Sequence, residues 1–137
     1  QRDQVDRLAE LDGLEGRAAQ LNSALSAGDQ RAALEGLADG TVRHLFLAPE
    51  QLTKPEVVEA IAKAHPALFV VDEAHCVSAW GHDFRPDYLR LGGVIEQLDH
   101  PTVLALTATA APPVRAEIVE RLGMRDARVV VAGFDRP

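Results

Sequence analysis

The chain has 137 residues, of which 47% are apolar, and this length is sufficient for one domain with a hydrophobic core of its own. Its formal net charge of -7 opposes nonspecific attraction to DNA phosphates, so any nucleic-acid contact must be local or shared with other parts of a larger protein. The single cysteine, Cys76, excludes an intrachain disulfide and a cluster of metal-binding thiolates. No apolar run approaches a membrane span and no charged-then-apolar leader opens the chain, so we expect no membrane partner. The single cysteine fits a reducing, cytoplasmic location.

The first predicted elements are a helix, a strand and a second helix. Apolar residues at helical spacing predict a helix over residues 2–11, and residues 18–25 are a candidate strand. Ser26 and Asp29 resemble a capping box that opens the next helix, and Gly40 is expected to end it. The residues of this helix predicted to face inward are Leu34 and Leu37.

A second strand and a third helix come next. Residues 42–47 are apolar apart from two interruptions and predict a strand. Thr53 is the expected cap of the following helix, with Pro55 in its first turn and Glu56 at its third position. The helix is predicted to end near residues 65–66, where a proline follows. The predicted core face consists of Val57, Ile61 and Ala64.

The second half of the chain continues the alternation of strands and helices. Residues 67–71 form an unbroken apolar run, which predicts a strand buried on both faces. A helix over residues 88–98, weakened by two glycines, precedes a buried strand at residues 102–106. A helix over residues 114–122 and a last strand at residues 128–132 complete the series. This order predicts an α/β fold in which helices flank a mostly parallel sheet in three layers.

An acidic pair follows the central predicted strand. Asp72 and Glu73 fall at its carboxyl end, which is where ligands bind in parallel α/β sheets. Mg²⁺ typically takes only one or two protein carboxylates together with substrate phosphates, so Asp72 alone could supply the protein ligand. Glu73 could then orient or deprotonate the water that attacks a γ-phosphate. The alternative is that the acidic pair is a solvated turn.

A cluster of aromatic residues follows the acidic pair. Three of the six aromatic residues, Trp80, Phe84 and Tyr88, lie within nine positions, and a glycine and a proline among them argue against a regular helix. Aromatic rings beside the guanidinium of Arg85 are suited to stacking on unpaired bases. We expect Trp80 to contact DNA, Tyr88 to pack in the core, and Phe84 to do either.

Several stretches resemble motifs of the RecQ family of DNA helicases. Residues 72–88, D-E-A-H-C-V-S-A-W-G-H-D-F-R-P-D-Y, resemble the Walker B (DEAH) motif and the aromatic-rich loop of that family. Residues 106–110, L-T-A-T-A, are similar to helicase motif III, and residues 134–137 are similar to the segment that closes the first motor lobe. Residues 1–5 resemble the end of motif Ia, and residues 47–52 resemble the family's A-P-E-R-L segment.

This resemblance implies a fold, an activity and a location. It implies that residues 1–137 form a partial helicase ATP-binding domain, an incomplete first RecA-like lobe that runs from the end of motif Ia through motif III. The implied activity is ATP-dependent 3′ to 5′ DNA unwinding, with ATP and Mg²⁺ as cofactors and single-stranded and partially duplex DNA as partners. The implied location is cytoplasmic and, in a bacterium, associated with the nucleoid.

The resemblance also implies roles for individual residues. Asp72 and Glu73 would bind the nucleotide, with Asp72 holding Mg²⁺ through water, and Glu73, Asp72 and His75 would be catalytic. His75 would also couple the nucleotide to the aromatic loop. The residues implied in DNA binding and in coupling it to hydrolysis are Trp80, His82, Phe84, Arg85, Thr107 and Thr109. From the residues alone, a helix cap is the favoured interpretation of Thr109. Gln51 stands where the family usually has Arg or Lys.

No segment of the 137 residues has the Gly-x-x-x-x-Gly-Lys-Ser/Thr spacing of a phosphate-binding P-loop. In the family, that motif precedes the point where this sequence begins, and the arginine finger belongs to a second lobe. We therefore expect the chain to be a piece of a longer protein and to hydrolyse ATP negligibly by itself.

Two other function classes remain open. The first is a nucleic-acid-binding module that has lost its ATPase activity, which the missing P-loop favours. The second is a metal-dependent hydrolase that uses Asp72, His75, His82 and Asp83 as ligands. The spacing of these residues across a glycine-containing loop disfavours the second class.

Overall fold

The computed structural model describes residues 18–80, 83–108 and 111–131. Its regular elements are β1 (Ala18–Leu21), α1 (Ala27–Asp39), β2 (His44–Leu47), α2 (Pro55–Lys63), β3 (Leu68–Val71), α3 (Leu91–Gln97), β4 (Thr102–Ala105) and α4 (Pro112–Arg121). The predicted α/β class is confirmed, whereas the helix predicted at residues 2–11 lies outside the described residues. In the part of the chain that is described, no helix is long and apolar enough to cross a membrane.

All four strands take part in parallel pairs. β1 pairs with β2, with Ala18 opposite His44, and β3 pairs with β4, with Leu68 opposite Thr102. A tight turn cannot join parallel neighbours, so α1 and α3 lie in the crossover connections. The predicted parallel pairing is therefore present, but over the described residues the strands form two separate two-stranded sheets.

One hydrophobic core joins the two halves of the chain. Side chains from the strands and from all four helices meet in a single cluster, so the two sheets belong to one packed unit. Its most completely buried large side chains include Leu21, Ile95 and Leu122. Tyr88 packs against this cluster, which confirms the core position expected for it.

The predicted ends of α1 are confirmed. The Ser26 hydroxyl accepts a hydrogen bond from the Asp29 amide at 3.1 Å, and Gly40 ends the helix in the left-handed conformation at φ 85°. Glycine adopts that conformation without steric cost. Leu34 and Leu37 are partly buried against the core, as expected.

The start of α2 differs from the prediction. The residue at the cap position is Lys54, and no side chain caps the helix. Thr53 instead ends a short 3₁₀ turn, Pro49–Thr53, and its hydroxyl donates to the Glu50 carbonyl at 2.7 Å. A local hydrogen bond to the preceding turn therefore replaces the expected cap. The core face contains Val57 and Ile61 as predicted and adds Val58, whereas Ala64 is only partly buried.

β3 is buried on one face and not on both. Leu68 and Val70 are 53% and 49% exposed, whereas Val71 is buried. Successive strand side chains point to opposite faces, and Leu104 of β4 is exposed beside Val70. The prediction was wrong because an apolar run indicates which residues favour burial but not which face of the sheet is covered.

Two further predictions require correction. Residues 128–131 form no strand in the structure, and Val129, Val130 and Val131 are exposed, because no described strand pairs with this β-branched run. The helix predicted at residues 88–98 is divided into a 3₁₀ turn, Pro86–Arg90, followed by α3. Position 132 lies outside the described residues.

The adjacent glycines of α3 face different surroundings. A β-carbon added at Gly92 would collide with the backbone oxygen of Arg121, at the end of α4, whereas one added at Gly93 would meet no atom within 4 Å. The close approach of α3 to α4 therefore requires glycine at position 92 only.

We predict opposite effects for alanine at these two positions. Gly92→Ala should lower the free energy of unfolding by about 1 to 3 kcal/mol, because backbone must shift to admit the methyl group. Gly93→Ala should raise it by about 0.5 to 1 kcal/mol, because alanine loses less conformational entropy in a helix. Urea unfolding followed by circular dichroism measures both effects. Equal stabilities for the two variants would contradict the close contact between α3 and α4.

Candidate functional site

The pairing of β3 with β4 continues past the ends of both strands. The Leu106 amide donates to the Val71 carbonyl, and the Ala74 amide donates to the Leu106 carbonyl, each at 2.9 Å. These bonds hold the segment that carries Thr107 beside the acidic turn at residues 72–73. Two stretches that are more than 30 positions apart in sequence thus meet at the carboxyl edge of one sheet, where ligands bind in folds of this class.

The acidic turn has a specific backbone conformation. The Glu73 amide donates to Asp72 Oδ1 at 2.9 Å, and Glu73 has φ 52° and ψ 43°, in the left-handed region. A residue other than glycine in that region costs about 1 to 2 kcal/mol. Strained residues of this kind cluster at functional sites. Both carboxylates remain exposed, so they are accessible to a ligand.

This turn fits a cation that keeps most of its own water. Mg²⁺ usually binds one or two protein carboxylates and retains several water ligands. The exposed carboxylate of Asp72 meets that requirement, and its Oδ1 is oriented by the Glu73 amide.

His75 lies at the centre of the candidate site. Its ring is buried, and Nδ1 shares a hydrogen bond with Thr107 Oγ1 at 2.8 Å and lies 3.5 Å from Glu73 Oε2. On the other side of the ring, Nε2 lies 3.6 Å from Asp83 Oδ2. One imidazole thus contacts the acidic turn, the motif III-like segment and the aromatic loop. Thr107 and His75 are brought together, whereas Thr109 lies outside the described residues.

The aromatic loop presents its rings differently. Trp80 is 81% exposed and Phe84 is 37% exposed, and the Arg85 side chain is also on the surface. The Arg85 amide donates to the Cys76 carbonyl at 2.9 Å, which closes the loop at its base. Trp80 is therefore accessible for stacking, as its expected role requires. His82 lies outside the described residues.

Glu117 of α4 contacts the loop, although it belongs to none of the motifs that predicted the site. The Ser78 hydroxyl donates to Glu117 Oε2 at 2.6 Å, and the Ala79 amide donates to Oε1 at 3.2 Å. The hydrogen bond from Ser78 is the main cause that lowers the pKa of Glu117, and Arg121 Nε lies 3.5 Å from the carboxylate. A sequence signal exists, because Glu117 follows the core residue Val114 by three positions and so lies beside the buried stripe of its helix.

Gln51, which stands where the family usually has Arg or Lys, does not lie on the surface. It is completely buried, and its Oε1 accepts a hydrogen bond from Lys54 Nζ at 3.2 Å. A buried amide in this position cannot reach a phosphate on the surface. The neighbouring Lys54 is the cation nearest to it in the structure described here.

The arrangement of possible metal ligands differs from the one expected for a hydrolase. Among the described residues, the one group of three donors close enough to share an ion consists of His75, Cys76 and Asp83, with the donor atoms within 4.8 Å of one another. Asp72 is not in that group. Burial, followed by the negative charge of Asp83, raises the pKa of the Cys76 thiol. A raised pKa disfavours the thiolate, which is the form that binds metals.

Comparisons with known proteins give one family. A family model described as DEAD/DEAH box helicase matches residues 2–118. The chain is 43% identical over 123 residues to the probable ATP-dependent DNA helicase RecS of Bacillus subtilis, which covers 90% of this chain and 24% of that protein. It is 38% identical over 136 residues to the ATP-dependent DNA helicase RecQ of Pasteurella multocida, which covers 99% of this chain and 21% of that protein.

A third relative, the ATP-dependent DNA helicase RecQ of Bacillus subtilis, is 39% identical over 136 residues, which is 98% of this chain and 22% of that protein. The chain thus spans less than a quarter of the length of each of these three relatives. The resemblance to RecQ helicases predicted from the motifs is confirmed.

We predict that Cys76 reacts slowly with a maleimide in the native chain. Its side chain is 1% exposed and its thiol pKa is raised, so both access and the thiolate fraction are reduced. Cys76 is the only cysteine in the sequence, so the labelling rate reports this site alone. Labelling followed by mass spectrometry should accelerate when urea unfolds the chain. Equal rates in the native and unfolded chains would contradict the buried position.

Proposed function

Because the chain belongs to the DEAD/DEAH box helicase family, we propose that it forms part of the motor core of an ATP-dependent DNA helicase of the RecQ type. Residues 1–137 would be a partial ATP-binding domain, the first RecA-like lobe without its P-loop. The whole protein would couple Mg-ATP hydrolysis to 3′ to 5′ movement along single-stranded DNA and would unwind duplex DNA. The observation that carries this proposal is the position of His75 between the acidic turn, Thr107 and the aromatic loop.

The acidic turn supplies the groups for nucleotide hydrolysis. Asp72 would hold Mg²⁺ through water, and the bound cation would neutralise charge on the phosphates. Glu73 would orient or deprotonate the attacking water. The exposure of the Glu73 carboxylate supports this role, because an attacking water can reach it while the Glu73 amide remains bonded to Asp72. The phosphate-binding loop and the arginine finger would come from other parts of the protein.

His75 would couple DNA binding to hydrolysis. A shift of the aromatic loop changes the position of Asp83, which lies 3.6 Å from His75 Nε2. The opposite ring nitrogen contacts both Thr107 and Glu73, so displacement of the ring also changes the surroundings of the catalytic carboxylate. Because the ring is buried, it cannot move without displacing at least one of these partners.

Trp80 would contact unpaired bases. Stacking of a base on an aromatic ring is worth about 1 to 3 kcal/mol and does not depend on the base sequence. Phe84 and Arg85, both on the surface of the same loop, would extend this contact and supply a positive charge. Such a local site suits a chain whose net charge is -7, because stacking needs no positive surface potential.

The main test uses the full-length protein, with ATP hydrolysis measured with and without single-stranded DNA. We predict that Glu73→Gln lowers hydrolysis by about 10² to 10⁴-fold, because the group that activates water is lost. Glu59→Gln should retain activity, since Glu59 is an exposed residue of α2 that pairs with Lys63.

We predict that Trp80→Ala abolishes the stimulation of hydrolysis by DNA and leaves DNA-independent hydrolysis unchanged. Trp80→Phe should retain most of the stimulation, because it keeps an aromatic ring at this position.

Partial duplexes with either a 3′ or a 5′ single-stranded tail test the direction. Unwinding of the 3′-tailed duplex alone is the expected result. A wild-type protein that hydrolyses ATP at the same rate with and without DNA would contradict the motor. If that protein nevertheless binds single-stranded DNA through Trp80, a nucleic-acid-binding module is the better description.

We also predict that the 137-residue chain, expressed alone, hydrolyses ATP negligibly. Its carboxylates lack the P-loop lysine and amides that neutralise the phosphates, and these contacts act together in the transition state. Phosphate release from the purified chain, compared with its Glu73→Gln variant, measures the residual rate. Steady turnover that Glu73→Gln abolishes would contradict this prediction.

A further inference from the structure

The first residues of the aromatic loop are held to α4 by a compact group of hydrogen bonds. Glu117 accepts from the Ser78 hydroxyl at 2.6 Å and from the Ala79 amide at 3.2 Å. The Trp80 amide donates in turn to Ser78 Oγ at 3.1 Å. Ser78 and Ala79 thus bond directly to the Glu117 carboxylate, and the exposed Trp80 is connected to it through the Ser78 hydroxyl.

The surroundings of Glu117 favour its charged form. Its side chain is only 11% exposed, and Arg121 lies one helical turn away, with Nε 3.5 Å from Oε1. The hydrogen bond from the Ser78 hydroxyl is the largest cause that lowers the pKa of Glu117, burial opposes it, and the backbone amides and Arg121 lower the pKa further. A lowered pKa means that the ionised form is complete at neutral pH and is lost only as the pH falls through the lowered value. Charge-assisted hydrogen bonds of this kind are stronger than neutral ones.

The aromatic loop is fixed at both ends, but to different elements. Its far end is tied by the Arg85 amide to the Cys76 carbonyl, next to His75, within the same segment of chain. Its near end is tied to α4, which begins at Pro112, five residues after Thr107. The tryptophan therefore lies between one attachment to Cys76, in the short turn that carries His75, and one attachment to the helix that follows the motif III-like segment.

We propose that Glu117 is a positioning residue that fixes the near end of the aromatic loop to α4 and so sets the place of Trp80 relative to His75. This inference rests on the proposed function, because it assigns to Glu117 the coupling of DNA contact at Trp80 to hydrolysis at Glu73. Glu117 does not touch the nucleotide site. Its removal releases the near end of the loop while His75, Thr107 and the acidic turn keep their own contacts.

Glu120 provides a matched control. It is an exposed acidic residue of the same helix, and it borders the same open groove of about 590 Å³ beside Trp80 as Glu117 does. No hydrogen bond or ion pair within the described residues joins Glu120 to the loop. Replacing either glutamate by glutamine removes the same charge from α4, so a difference between the two variants reports the contacts with Ser78 and Ala79.

The first experiment measures ATP hydrolysis by the full-length protein as single-stranded DNA is added. We predict that Glu117→Gln raises the DNA concentration for half-maximal stimulation by about tenfold, the effect of losing one charge-assisted hydrogen bond. In Glu117→Gln, DNA-independent hydrolysis and the KM for ATP should stay at wild-type values. Glu120→Gln should match the wild-type protein in these two quantities and in its response to DNA. Ser78→Ala should reproduce the effect of Glu117→Gln, and the double variant should be no worse than either single one.

Three results would overturn the assignment. One is a DNA response of Glu117→Gln equal to that of Glu120→Gln. Another is an equal loss of DNA-independent and DNA-stimulated hydrolysis in both Glu117→Gln and Ser78→Ala, which would indicate a role in stability alone. The third is full additivity of the two substitutions, which would show that the residues do not act through their shared bond.

Hydrogen exchange separates this inference from the proposed function. In Glu117→Gln, peptides that contain Ala79 and Trp80 should exchange faster, while peptides from β3 and α3 keep wild-type rates. A wild-type protein without DNA-stimulated hydrolysis would overturn the proposed motor, and the exchange result would still decide whether Glu117 positions the loop. Unchanged exchange at residues 79–80 in a protein that DNA does stimulate would overturn the role of Glu117 and leave the motor intact.

Discussion

The parallel register of β3 and β4 is the constraint on which the candidate site depends. Hydrogen bonds from Leu106 to Val71 and from Ala74 to Leu106 extend the register beyond the strands, so Thr107 arrives beside the turn that carries Asp72 and Glu73. A shift of one residue in this pairing would turn every side chain of the shifted strand to the opposite face. The contact of 2.8 Å between Thr107 and His75 would then be lost. Burial of Val71 in the core helps to hold the register, because a shifted strand would expose it.

Because of this register, His75 lies between the acidic turn and the aromatic loop and contacts both. Its two ring nitrogens face different partners, with Thr107 and Glu73 on one side and Asp83 on the other. Glu73 and Asp83 are exposed, so both can respond to what binds, whereas the ring between them is enclosed by packed residues. A buried group with polar contacts on both sides transmits displacement better than a solvated one, since water cannot fill the space that it leaves.

Local signals in the sequence predicted local structure well. Ser26 and Gly40 were sufficient to bound α1, because a cap and a left-handed glycine act within a few residues of the backbone groups that they serve. Thr53 failed as a cap because the preceding residues form a 3₁₀ turn that takes its hydroxyl, a competition that the spacing does not reveal. Residues 128–131 failed as a strand because β-branched composition favours a strand only where a neighbour is present to pair with it.

The site shows the same division between local and distant information. Asp72, Glu73 and Trp80 could be proposed as site residues because an acidic strand end and an aromatic loop have their own sequence patterns. Glu117 could not be assigned to the loop, since its partners Ser78 and Ala79 lie almost forty positions earlier and only the packing of α4 brings them together.

That packing also resolves a conflict in charge. In an acidic chain, a carboxylate beside the expected DNA contact should repel DNA phosphates. Glu120 is exposed to solvent, so only dissolved ions screen its repulsion. Glu117 instead accepts hydrogen bonds from a hydroxyl and an amide and lies beside a guanidinium, so its charge is partly offset within the protein. A negative residue can therefore lie next to the tryptophan that we propose as the DNA contact and still support its position, provided that its hydrogen bonds point inward.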